Sequence, residues 1–520
     1  MLRSNLTVAT GTAVSRITGV ARVAVLGAVL GTPSAVADAY DLANSTPNMV
    51  YELLMGGILS SSLVPLFTRL RDDGDDEGAD AVTTVALLVV GAITLVAVAF
   101  APLVFRLYSL LTADGVDATQ YRQVGGALAR IFLVQIFFYG LNSLASVALN
   151  ARRRFFAAAW APVLSNLVII GSLLLVPVVA DGAPTLADVL SNQRLRWLLG
   201  GGATLGIAVM ALALLPALAS AGVRYRFRPD FRNPAVRTLR TMSGWALGYV
   251  VANQVALVVV RNLLRGGDGS AFAYSRAYLW FVLPHGLLAV SIATTFLPEM
   301  SSAVARRDQP ALVHHTSLGV RLIALVTLPA GFGLFVLRRP IIGAAFQHGN
   351  VSAADALVTS RVLAGFALGL AAFSVYLFAI RVFYAGYDAR TPFLLNLLEN
   401  AVNVVLAVVL VRRFGLLGLS ASFAIAYCVA AVVTLLVASR RVDGFSLAPL
   451  AVSIGRMLVA SVAMALAVWG VARNVGSNAG AGAVLRVVAG TVTGAVVYLA
   501  ALVALRTPEV AQLRRRLLRR

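Results

Sequence analysis

Apolar runs of about 20 residues recur from one end of this chain to the other, which is the length a helix needs to cross a bilayer core of ~30 Å. In lipid every backbone amide and carbonyl must find its partner within the protein, so long unbroken runs of this kind can only be helices. Bounded by arginines or by Gly, Pro and Asp, they predict spans near 6–30, 38–67, 81–111, 122–150, 157–180, 197–221, 239–264, 271–301, 311–337, 353–384, 391–412, 415–438, 449–472 and 482–505. With 59% hydrophobic and 12% charged residues over 520 positions, the chain is too apolar for a soluble globule, whose apolar share is typically ~45–50%. The reading is an all-α polytopic membrane protein of about 14 transmembrane helices.

A net charge of +21 would ordinarily raise nucleic acid as a partner, but all 43 basic residues are Arg and most fall in short loops between apolar runs. That is a topology signal, and no nucleic-acid partner is expected. Placing the N-terminus in the cytoplasm puts 24 arginines on that side, 11 opposite and 8 within spans, so both termini are expected to be cytoplasmic. The single Cys428 excludes an intrachain disulfide or a cysteine metal cluster, and His285, His314, His315 and His348 are too scattered for a metal site. The acidic run Asp72, Asp73, Asp75, Asp76 and Glu77 reads as a solvated loop. Ala35, Val36 and Ala37 imitate a signal-peptide cleavage site, but Arg16 and Arg22 interrupt the apolar region such a peptide needs, so the first helix is expected to be retained.

Those two arginines are the main functional signal. Arg16 lies ten residues past Leu6, where the first apolar run begins, and Arg22 lies eight before Leu30, where it ends. A charge near the bilayer centre costs ~2.5–3.5 kcal/mol on insertion scales, so such residues usually face a bundle interior or a water-filled cavity. At about 100° per residue, Ser15, Arg16, Gly19 and Arg22 cover roughly a third of the helix circumference, one polar wall. The alternative is that both side chains snorkel to the headgroups along their apolar stems.

A faint internal repeat accompanies this. Pro47 and Pro65 bracket the second span as Pro284 and Pro298 bracket the eighth, and the step from Pro162 to Asn166 echoes that from Pro392 to Asn396, with offsets of 237, 233 and 230. Near-constant offsets suggest two pseudo-symmetric six-helix lobes, 1–222 and 223–440, followed by two extra helices and a basic tail at 441–520, with a substrate cavity between the lobes. On the span near 391–412, Asn396, Asn400 and Asn403 recur at i, i+4 and i+7 beside Glu399. Their oxygens suit a hard cation such as Na⁺; equally, such a stripe serves interhelical hydrogen bonding.

The chain resembles the MurJ/MviN family, the lipid II flippases of peptidoglycan synthesis within the multidrug/oligosaccharidyl-lipid/polysaccharide exporter superfamily. The resemblance covers nearly the whole chain and rests on Ser15-Arg16-x-x-Gly19-x-x-Arg22, Ala37-Asp38-Ala39-Tyr40, Leu-Pro-His-Gly at 283–286, Phe-Gln-His-Gly at 346–349, and the run from Phe383 to Pro392. It implies a V-shaped cavity between two lobes, alternating access, and a lateral groove formed with the last two helices for a polyprenyl tail. Two departures stand out: Tyr51 and Glu52 occupy positions where many members carry an arginine pair, and Leu279 stands where the eighth helix usually has an arginine, with Arg276 one turn away.

A carrier of lipid II must hold a diphosphate, for which the planar, permanently charged fork of Arg is suited. Arg16, Arg22 and Arg276 are the expected clamp, with Ser15 and Glu52 in the same lining. Asp38 either orients an arginine by ion pairing or sits at the interface before the second helix. The expected activity is transport, not catalysis: movement of an undecaprenyl-diphosphate-linked precursor from the cytoplasmic to the outer leaflet of the bacterial cytoplasmic membrane. No cofactor is expected, with Na⁺ or H⁺ as the candidate coupling ion, and a monomer that could work beside the cell-wall synthesis machinery. The alternatives are an exporter of drugs or polysaccharide lipid intermediates with the same fold, a structural scaffold, and, last, a membrane enzyme, which would need carboxylates or histidines clustered at a membrane face.

Overall fold

The computed structural model describes residues 2–31, 34–55, 66–67, 70, 73–152, 154–223, 225–348, 351–386 and 388–507. The described residues are helices joined by short loops. For later use we label α1 (Leu2–Leu30), α2 (Ala35–Met55), α3 (Asp76–Ala99), α4 (Ala118–Phe132), α5 (Phe156–Leu174), α6 (Pro234–Leu263), α7 (Ser270–Pro284), α8 (Gln309–Phe346), α9 (Arg390–Arg441), α10 (Leu447–Asn474) and α11 (Gly480–Ala504). Each predicted span coincides with helix, except that 56–65 of the second lies outside the described residues. Among the described residues, nine helices are long and apolar enough to cross a membrane, or ten if Ala353–Ala367 and Leu370–Ala385, bent by 46°, form one span. The 52-residue α9 carries two predicted spans, separated at Gly415, whose φ of 55° is a left-handed conformation that glycine adopts without steric cost.

Polar residues mark where helices begin. Asp75 caps α3 by accepting from the Gly78 amide (2.8 Å), so the acidic run expected as a loop also supplies the first turn of a helix, where carboxylates favour the dipole. Thr185 with Asp188, and Ser352 with Asp355, form reciprocal capping boxes. Asp188 is held below the usual carboxylate range by the backbone and hydroxyl hydrogen bonds from Thr185.

Contacts divide the chain into two compact units, 1–272 and 273–520. Residues 223–272 group with the first unit. The segment after residue 224 docks on α3: the Thr84 hydroxyl bonds Tyr225 Oη (2.8 Å) and accepts from the Arg228 amide (2.9 Å), while Arg228 pairs with Glu77 (2.8 Å). Asn262 near the end of α6 accepts from the Leu110 and Leu111 amides (2.6 and 3.2 Å) and donates to the Leu107 carbonyl (2.9 Å). A carboxamide thereby satisfies backbone groups left open at the end of Ala101–Tyr108.

In the first unit, Leu30, Val36, Ala37, Tyr40 and Ala43 pack with Tyr121, Val124, Leu128 and Phe132 of α4, Tyr40 meeting Phe132 edge-on at 5.1 Å. In the second, Phe281 lies 5.3–5.5 Å from Phe366, Phe373 and Phe423, an aromatic cluster in which each pair adds ~0.5–1.5 kcal/mol beyond area burial. Close approach depends on small residues there: a Cβ on Gly365 would overlap the Ser420 hydroxyl.

Candidate functional site

The polar wall of α1 is divided between two tasks. Asn166 of α5 donates to the Ser15 carbonyl (3.1 Å) and the Thr18 hydroxyl (3.0 Å), and Gly19 lies against the same carboxamide. That strip is a helix seam of the small-residue, hydrogen-bonded kind common in membranes. Arg16 and Arg22 are partly buried, and among the described residues no hydrogen bond or ion pair engages either guanidinium. Partly buried guanidiniums that spend no hydrogen bond on the described residues are available to an anion.

Among the described residues no arginine pairs with Asp38. It is fully buried, and its carboxylate accepts from the amides of Gly267 (2.8 Å), Gly269 (2.9 Å) and Phe272 (2.8 Å). It therefore caps the start of α7 and fixes the glycine-rich turn before it, because a helix N-terminus leaves amides that a carboxylate satisfies well. The ion pair belongs instead to Asp41, one turn on: Arg261 of α6 bonds Asp41 Oδ2 at 3.0 Å, both side chains largely buried. Sequence reasoning missed this pair. Asp41 follows Asp38 by three residues and Arg261 is one of the intramembrane arginines, so both signals were present without anything to join them.

Arg276 is 1% exposed, the largest fully buried side chain among the described residues, with its guanidinium 5.0 Å over the Phe346 ring. It belongs to the second unit. The backbone of Tyr51 and Glu52 ends α2, but their side chains lie outside the described residues, so the predicted role of Glu52 has no geometry here.

The stripe on α9 is buried throughout: Asn396, Glu399, Asn400 and Asn403 all face protein. Asn400 donates to the Asn396 carbonyl (3.0 Å), and Asn403 Oδ1 accepts from the Ser422 hydroxyl (3.1 Å), so part of the stripe ties helix to helix. Glu399 is different: no hydrogen bond or ion pair engages its carboxyl among the described residues. A buried carboxyl is stable there only if neutral or if a cation joins it. Among the described residues no group of three or more His, Cys, Asp or Glu could hold a metal ion.

The family model "Lipid II flippase MurJ" matches residues 26–490. The chain belongs to this family. It is 27% identical over 432 residues to the probable lipid II flippase MurJ of Vibrio cholerae, covering 81% of this chain and 79% of that one. It is also 27% identical over 473 residues to the corresponding Rhizobium meliloti protein, covering 90% and 86%. Among solved structures, a lipid II flippase MurJ in an inward closed conformation superimposes with a TM-score of 0.76 at 22% identity over 96% of this chain and 99% of that one. An inward-facing multidrug resistance MATE transporter of the MOP superfamily gives 0.64 at 15% identity over 83% and 95%. The family's fold is therefore this chain's fold, a multi-pass membrane transporter.

Proposed function

We propose that this protein flips lipid II, carrying a polyprenyl-diphosphate-linked cell-wall precursor from the cytoplasmic to the outer leaflet of the bacterial cytoplasmic membrane by alternating access, with both termini in the cytoplasm. The observation that carries the reading is the pair Arg16 and Arg22: two charges at membrane depth, in a member of the MurJ family, with no hydrogen bond or ion pair from the described protein. Guanidinium groups meet a diphosphate with paired, charge-assisted hydrogen bonds and stay charged in any environment. Arg16 and Arg22 are the cations assigned to that ligand, with Ser15 beside them; Arg276 is buried against Phe346 within the second unit. Asp38 is assigned to architecture and Glu52 to the lining of the second helix.

The coupling ion, Na⁺ or H⁺, is assigned to Glu399 with Asn396, Asn400 and Asn403, because a buried carboxyl with no hydrogen bond or ion pair from the described residues is where a cation gains most. A second reading, an exporter of drugs or of other lipid-linked saccharides, is favoured by the fold shared with multidrug MATE transporters. Complementation separates the two: this chain should rescue a cell depleted of its own lipid II flippase, and Arg16→Ala should not. Lysis despite good expression of the wild-type chain would favour the exporter.

A further inference from the structure

At one end of the second unit, four arginines gather around a cavity of about 330 Å³: Arg338 and Arg339 of α8, Arg473 at the end of α10 and Arg486 of α11. No Asp or Glu lines it, and among the described residues none of the four pairs with a carboxylate. Four like charges converging in this way repel one another, and the arrangement is stabilised when an anion joins them. Helices that merely end at a membrane surface would spread such charges into water.

Part of the cluster is built in. Arg486 donates to the carbonyls of Val475 (2.8 Å) and Gly476 (2.7 Å) and to Asn478 Oδ1 (2.6 Å), bracing the turn between α10 and α11 that forms the rim. Arg338 bonds the Phe335 carbonyl and stacks on that residue's ring at 4.8 Å. Arg473 lies 3.7 Å over Trp469, which holds its guanidinium at the mouth while leaving its edge N–H groups unspent. Arg339 is exposed and makes no hydrogen bond to the described protein. Two guanidiniums therefore remain for a ligand, framed by two that are already fixed.

The surroundings say what kind of anion. Trp469 is about half exposed, as tryptophans at the headgroup level of a bilayer are. Away from the cluster, Leu466, Val488, Val492 and Val496 present exposed apolar faces of α10 and α11. A ligand seated here would have its phosphate among the arginines and its acyl chains along those faces. We propose that the Arg338–Arg339–Arg473–Arg486 pocket binds the phosphate of an anionic bilayer lipid. It is a basic pocket where the ends of three helices meet, and its guanidiniums have the paired donor geometry that a phosphate accepts. The inference stands whether or not the protein flips lipid II.

The test uses the full-length protein in nanodiscs of phosphatidylcholine, titrated with short-chain phosphatidylglycerol or with inorganic phosphate, reading thermal stability and tryptophan fluorescence. Phosphatidylglycerol should raise the melting temperature saturably, and Arg339→Ala/Arg473→Ala should weaken that binding about tenfold or more, as loss of charge-assisted hydrogen bonds does. Arg413→Ala, an exposed arginine outside the pocket, should leave it unchanged. Binding of phosphatidylglycerol alone assigns a lipid headgroup, while binding of inorganic phosphate as well assigns the phosphate itself; either supports the pocket's chemistry. Equal binding by the double variant, or no preference over the neutral lipid, overturns the proposal. The double Arg→Gln variant replaces the alanine one if the latter does not fold, since it keeps the side-chain bulk over Trp469 and removes the charge.

Discussion

The Asp38 carboxylate receives the amide of Phe272 at 2.8 Å, across 234 residues of sequence, and the same carboxylate holds Gly267 and Gly269. An apolar replacement leaves three buried donors without acceptors. Asp38→Ala should therefore destabilise the protein by about 2–4 kcal/mol, read as earlier thermal unfolding in detergent. Asp38→Asn should fall between, because a carboxamide offers one acceptor oxygen where the carboxylate offers two. Wild-type melting in Asp38→Ala would show the cap to be idle.

Arg16→Ala or Arg22→Ala should abolish flipping of lipid II in proteoliposomes while leaving expression and melting intact. Removal of an intramembrane charge relieves an insertion cost of ~2.5–3.5 kcal/mol, so the fold has no reason to suffer. Lysine should restore activity only in part, since an ammonium keeps the charge but loses the paired geometry. Wild-type rates in both alanine variants would return these residues to snorkelling.

If transport is coupled at α9, Glu399→Gln or Asn400→Ala should flatten its dependence on an imposed Na⁺ or H⁺ gradient, measured as initial flipping rate with and without the gradient. An unchanged ion response in both would leave the stripe to packing, a role Asn403 already has through Ser422.

In a Cys428→Ala background, cysteines introduced at Ala157 or Arg228 should resist a membrane-impermeant thiol reagent in intact cells and react once the cells are opened. Efficient labelling from outside at either would reverse the orientation drawn from the arginine bias.

Near the start of α9, Asp388 pairs with Arg441 (2.8 Å) and accepts from the Thr391 hydroxyl and amide. Burial pushes its carboxyl up, but the Thr391 bonds and the Arg441 charge outweigh that and hold it below the ordinary carboxylate range. A depressed folded-state pKa stabilises above the unfolded value and is lost as pH falls through the folded one. Melting of the wild type should thus decline below the ordinary carboxylate range by more than melting of Asp388→Asn does. Parallel curves would show the pair to contribute nothing.

Much of this was legible because membranes punish exceptions. Spans follow from run length, and Arg16 and Arg22 stood out as two charges on one face of an otherwise apolar run. What the sequence could not supply was pairing across distance. Asp38 read as a partner for arginine, since a carboxylate near cations usually is one, yet three amides from residues 267–272 claimed it and Asp41 took Arg261. The bonds of Thr84 to the segment at 225–228 and of Asn262 to residues 107–111 were equally out of reach of a reading by run length. Arg338, Arg339, Arg473 and Arg486 were visible as loop arginines, but their convergence depends on three helices meeting.

The Asn262 contacts have a consequence for biosynthesis. The amides of Leu110 and Leu111 acquire their acceptor from a side chain 152 and 151 residues downstream. A nascent chain therefore exposes these two amides until Asn262 has been made and can reach them. A stalled chain ending at 222 should be more open to protease than one ending at 272, and the interval between the two is when a membrane chaperone would find a vacancy to occupy.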